Sequence, residues 1–291
     1  MRSLFAFLFI LIFSIPSFGQ KGKVIESLIF KSQIVDYPVK YSVYLPDGYE
    51  TSQRSYPVVY LLHGFSDDET GWVQFGEAVE ITDKGVAEGA FPSCILIIPD
   101  GKVTWYCNSF DGKDRWEDMF VNELIPYVEK EFRIRSKKEF RAIAGLSMGG
   151  YGALGLSMRH PELFSSCVAL SSATFSDQEI TKQGDDTYHD FFKNIYGIDL
   201  KGNGRLTAAW NANSPLHLIH SVSIEKLKGI RFYIDCGDDD FLYKGNSLLH
   251  IEMRDLSIPH EYRVRNGGHS WSYWRTGLYD GLKFMGEKFR R

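Results

Sequence analysis

Arg141–Leu154 reads RAIAGLSMGGYGAL and sets one serine, Ser147, between Gly145 and Gly149. A strand-like run, Glu139–Gly145, precedes that serine, and a helix is expected just after it. A G-x-S-x-G stretch by itself is common. Between a strand and a helix it becomes the sharp turn that lifts a hydroxyl to the C-terminal edge of a sheet. Side chains at Gly145 and Gly149 would collide with the neighbouring strand and helix. The helix that follows aims its positive end at the same point.

A serine hydroxyl is a weak nucleophile until a base takes its proton and a third group orients the base. In this arrangement the acid and then the histidine follow the serine in chain order. Of the eight histidines, only His269, within GGHSW, lies in the loop after the last strand-like run. The acid belongs in the turn after RFYIDCG (Arg231–Gly237), where Asp235, Asp238, Asp239 and Asp240 compete. Asp235 still falls in the strand. Asp240 stands three residues past Gly237, where a side chain can return toward the sheet edge, and is the choice; Asp239 is second. A developing oxyanion needs backbone N–H donors. Met148, next after the serine, supplies one, and Phe65, in the loop after YPVVYLL, supplies the other. His63 in that loop reads as structural.

These residues need a sheet to hold them. Val24–Phe30 and Tyr41–Pro46 are β-like. Tyr56–Leu62 and Cys94–Pro99 are apolar runs of strand length, as buried parallel strands are, and Glu139–Gly145, Ser166–Ser172 and Arg231–Gly237 add three more strands. His260–Val264 is a last strand. Helical stretches are expected over 76–88, 115–132, 247–256 and 277–289. Strand and helix alternate, so the fold class is α/β, with a mostly parallel sheet covered on both faces. The stretch from about 174 to 222 breaks the rhythm, as an irregular helical insertion that crosses the strand ends and helps wall a pocket. Inside it, DLKGNGRLTAAW has Lys201 and Trp210 where a calcium loop needs acidic groups, so no metal is expected.

Residues 1–19, MRSLFAFLFILIFSIPSFG, have a positive start, an apolar middle and a small-residue end, the layout of a secretory signal peptide cleaved before Gln20. The apolar run is too short for a spanning helix, which takes about 20 residues. The mature chain, 20–291, is then one exported domain without stable membrane insertion. A net charge of -4 without a basic block excludes a nucleic-acid partner. Cys94, Cys107, Cys167 and Cys236 are too few and scattered for a disulfide framework, although one bridge is open to an exported protein. The sequence leaves the oligomeric state open.

YLLHGFSDDETGW, GLSMGGYGAL, CGDDDFL and GGHSWSYW together resemble the esterase D-like branch of the α/β-hydrolases. That branch holds S-formylglutathione hydrolases, tributyrin esterases, feruloyl esterases and mycolyltransferases. The resemblance implies an α/β-hydrolase fold, a triad of Ser147, Asp240 and His269, oxyanion donors at Phe65 and Met148, and no cofactor. It also places the branch's tryptophan at Trp72, as a brace for the loop before it. The expected activity is carboxylic ester hydrolysis on a small or polysaccharide-linked ester, acetyl or feruloyl. Two rivals stand beside it: acyl transfer to a sugar by the same triad, and a noncatalytic binding module on the same fold. Tyr106, Trp271 and Trp274 are expected to line an aromatic-friendly cleft, with packing at the sheet edge as the alternative.

Overall fold

The computed structural model describes residues 21–290; the signal-peptide reading of 1–19 lies outside them. Eight strands form one sheet: β1 (Lys23–Lys31), β2 (Pro38–Leu45), β3 (Val58–Leu62), β4 (Ile95–Pro99), β5 (Arg141–Leu146), β6 (Ser166–Leu170), β7 (Arg231–Gly237) and β8 (His260–Arg265). Their spatial order is β1-β2-β4-β3-β5-β6-β7-β8. The β1–β2 and β2–β4 pairs are antiparallel, and every later pair is parallel. The expected α/β architecture is borne out.

The helices are α1 (Gly71–Gln74), α2 (Ala78–Ala87), α3 (Trp116–Met119), α4 (Ile125–Glu131), α5 (Met148–Arg159), α6 (Asp177–Lys182), α7 (Asp185–Tyr196), α8 (Ala208–Asn213), α9 (Pro215–Ser221), α10 (Ile224–Leu227), α11 (Tyr243–Asp255) and α12 (Trp271–Phe289). Every residue of β3, β4, β5 and β6 is buried, which is why those strands read as apolar runs, unbroken in β3 and β4 and broken in β5 and β6 only at their first residues, Arg141 and Ser166. Alternate strand residues point to opposite faces. Tyr60, Ile143 and Cys167 join a core with α3, α4, α5 and the insertion; Val59, Ala144 and Val168 join a second with α12. The insertion is helical throughout its middle, α6 to α9 with a short 3₁₀ turn.

Three expectations are corrected. The helix expected over 115–132 is broken by a π-turn, Phe120–Leu124, just before Pro126, whose missing N–H cannot close an ordinary α bond there. The closing helix begins at Trp271, six residues before the expected Gly277, and so takes in both tryptophans of GGHSWSYW. Helix α11 likewise starts at Tyr243 instead of Ser247. All four cysteines are buried free thiols, and burial pushes each up to about 12.

Candidate active site

Ser147 joins β5 to α5 with φ +53° and ψ −118°, backbone angles that cost a non-glycine residue about 1–3 kcal/mol. The surroundings enforce them. Ser147 N–H donates to Leu170 O at 2.9 Å, and Ser147 O accepts from Tyr151 and Ala173 N–H. A Cβ on Gly149 would sit 2.4 Å from Leu62 O, and one on Gly145 would sit 2.3 Å from Gly149 O. Both opposing atoms are backbone, so neither position has room for a side chain.

The loop after β3 comes up against this turn. Its His63 is fully buried; Nε2 accepts the Gly101 N–H at 2.8 Å and Nδ1–H donates to Gly64 O at 2.8 Å. Trp72 Nε1–H donates to Leu62 O at 2.9 Å, and so braces the loop. Among the described residues, neither the Phe65 N–H nor the Met148 N–H has a hydrogen-bond acceptor. Met148 opens a helix, where the first N–H groups have no partner within the helix.

The histidine and the acid arrive on adjacent strand ends. His269 follows β8 and Asp240 follows β7. The two loops touch at Gly237, where a Cβ would lie 2.0 Å from Gly267 O. Asp238 and Asp239 bind the His269 loop through Gly267 N–H to Asp238 Oδ1 at 2.9 Å and Asp239 N–H to Gly267 O at 3.1 Å; their side chains remain exposed. Asp240 alone of the turn is buried. Its Oδ2 accepts His269 Nδ1–H at 2.9 Å, with Oδ1 at 3.2 Å. His269 Nε2 stands 2.9 Å from Ser147 Oγ. With Nδ1 donating to the carboxylate, Nε2 is left to accept the serine O–H.

Burial alone would raise the Asp240 carboxyl. Hydrogen bonds from His269, the Leu242 N–H and the Ser171 hydroxyl outweigh it, and hold the carboxyl below its ordinary range. Asp235, weighed as a rival acid, is buried in β7 but faces elsewhere: its carboxylate accepts Arg265 Nε–H at 2.9 Å and the Tyr273 hydroxyl.

A cleft of about 280 Å³ opens beside Ser147. Phe65, Met148 and Trp105 wall one part, Phe175, Phe191 and Phe192 come from the insertion, and Phe241 and Leu242 close the side next to His269. Phe65 and Phe191 pack with ring centroids 4.5 Å apart and planes tilted by 36°. Among the described residues that line it, Gln183 and Thr187 are the hydrogen-bonding polar side chains beside Ser147.

The aromatic residues singled out from the sequence are not in this lining. Tyr106 is fully buried; its ring fills the space left by Gly101 and Gly152, and its hydroxyl donates to His63 O at 2.8 Å. Trp274 is buried, with its ring edge-on to His269 at 4.8 Å and Nε1–H on Ser171 Oγ. Trp271 packs against Trp72 and Trp274. All three brace the site from behind. The insertion phenylalanines Phe175, Phe191 and Phe192 were not named from the sequence, because helical spacing alone does not say which face of the insertion meets the sheet edge. The one available signal was the DFF segment at the start of DFFKNIYG, within the stretch expected to wall a pocket.

The chain is similar to known esterases. An acetyl esterase of Caldicellulosiruptor saccharolyticus is 26% identical over 240 residues, 81% of this chain and 85% of its own. An esterase of Mycobacterium tuberculosis is 35% identical over 265 residues, 82% of this chain and 54% of its own. Among solved structures, a ferulic acid esterase superposes with a TM-score of 0.79 at 28% identity, covering 92% of this chain and 99% of that one. The model of the family described as "Putative esterase" matches residues 32–285, and the chain belongs to that family, on an α/β-hydrolase fold.

Proposed function

We propose that this protein is an exported serine carboxylesterase that works through an acyl-enzyme on Ser147. The observation that carries the reading is the chain of hydrogen bonds from buried Asp240 through His269 to Ser147 Oγ. Ser147 Oγ attacks the ester carbonyl carbon while its proton passes to His269 Nε2. Asp240 keeps the other ring proton on Nδ1 and stabilises the imidazolium. The carbonyl oxygen, now negative, takes the N–H groups of Phe65 and Met148. The C–O bond to the alcohol breaks as His269 returns the proton to the alcohol oxygen. Water then repeats the sequence on the acyl-enzyme and releases the acid.

The cleft supports a finer reading. Its volume and ring-lined walls exceed what an acetyl group fills, and favour a larger acyl group with a flat apolar body. Feruloyl esters of plant polysaccharides fit that description better than acetyl esters. The layout of residues 1–19 supports an extracytoplasmic substrate.

The test is Ser147→Ala. Hydrolysis of p-nitrophenyl and feruloyl esters should vanish with thermal unfolding unchanged, and a fluorophosphonate should label the parent protein at Ser147. A variant rate close to the parent's would overturn the mechanism.

A further inference from the structure

Phe241 is the most exposed large apolar side chain among the described residues, at 68%. Its ring lies 4.6 Å from that of His269, tilted by 50°, while buried Trp274 backs the same imidazole edge-on. The neighbouring Leu242 is buried and turns into the cleft, so Phe241 stands at its mouth.

What occupies that mouth follows from the proton path. In the reaction proposed for Ser147, on which this inference rests, His269 Nε2 gives its proton to the departing alcohol oxygen. That oxygen must come within hydrogen-bond reach of Nε2, about 3 Å. The carbons attached to it then lie against whatever flanks the imidazole on the open side, and that is Phe241. The acyl half has other walls, the tilted Phe65–Phe191 pair and the insertion rings behind it. A flat, exposed ring suits a ligand that presents C–H groups on one face, as the sugar of a polysaccharide-linked ester does.

We propose that Phe241 is the platform for the alcohol half of the ester, and that this alcohol is a sugar ring. The C–H face of the sugar stacks on the open face of Phe241.

The experiment holds the acid constant and changes the alcohol. The full protein and Phe241→Ala are assayed on one aryl acid as its methyl ester and as its pentosyl ester. The ratio of kcat/KM for pentosyl over methyl ester should fall about three- to tenfold in Phe241→Ala, through KM, as expected for one lost ring contact. Phe241→Trp should keep the parent ratio. An unchanged ratio overturns the platform, because the ring then acts equally on both esters through His269 or the acyl group. So does a loss that follows the acid when the alcohol is held as methanol. Failure of the underlying reading looks different: the parent protein would cleave neither ester and would take no fluorophosphonate.

Discussion

Asp240→Asn isolates the orienting role of the carboxylate, and the structure fixes how the new amide must sit. Asp240 Oδ1 accepts the Leu242 N–H at 2.9 Å, whereas Oδ2 is the nearer acceptor for His269 Nδ1–H. In the variant the amide oxygen has to stay on Leu242, because an NH₂ there would face another donor. The NH₂ group then replaces Oδ2 and points at His269 Nδ1. Two donors cannot share that line, so the ring proton moves to Nε2. Nε2–H now faces Ser147 Oγ and cannot take its proton. The same inversion in a serine protease triad lowers kcat about 10⁴-fold, which at about 1.36 kcal/mol per decade is about 5.5 kcal/mol of barrier. The substitution leaves the cleft lining unchanged, so KM should stay close to the parent value. Steady-state kinetics on a p-nitrophenyl ester at neutral pH measures both constants. A kcat within tenfold of the parent, or a larger loss from Asp239→Asn, would refute the assignment of Asp240 as the orienting acid.

Gly149→Ala should cost about 1–3 kcal/mol of stability and most of the activity, because the new methyl meets Leu62 O and His63 O, both backbone; a parent-like melting temperature and rate would contradict this. The four thiols should stay silent to a thiol reagent near neutral pH and all react in denaturant, since burial pushes each up to about 12. One fast native thiol would break the prediction. Stability should fall as pH drops below about 4, the ordinary carboxyl range. Burial opposes ionisation of Glu117, but Arg159 and His160 outweigh it and hold the carboxyl low; Asp240 is held low in the same sense. The folded chain therefore binds fewer protons than the unfolded chain in mild acid, and the stabilisation present above that range is lost on acidification. Urea midpoints from pH 7 to 3 should show the drop, and Glu117→Gln should flatten it.

Much of this was legible in the sequence for plain physical reasons. A strand covered on both faces has few polar positions, so β3 and β4 appear as solid apolar runs, and β5 and β6 do so after their first residues, Arg141 and Ser166. The serine turn carries its own constraint, since the chain crossings at Gly145 and Gly149 exclude any side chain. Which of three consecutive aspartates turns inward is a different matter. It depends on a turn closed by Asp240 N–H on Gly237 O at 3.2 Å and on the contact of that turn with Gly267, a residue thirty positions away from Gly237. The aromatic residues illustrate the limit from the other side. Tyr106 was open to cleft lining or to packing, and what decides it is the room left for its ring by nearby Gly101 and by Gly152 on the distant helix α5. Trp271 and Trp274 look like loop residues until the helix is seen to start six residues early.

One arrangement has a kinetic consequence. His269 hangs from β8, the outermost strand, which has a paired neighbour on one side alone. Residues 260–290, β8 and α12, form the C-terminal end of the fold, and α12 packs back on β5, β6 and β7. Edge segments open at lower free energy than central ones. Partial opening of this segment would remove the base while the serine turn, seated between two interior strands, stays intact. Loss of turnover on warming should then precede the main unfolding transition, with amide exchange in β8 faster than in β5. A protein in that state would be folded, soluble and silent, and would recover on cooling without refolding its centre.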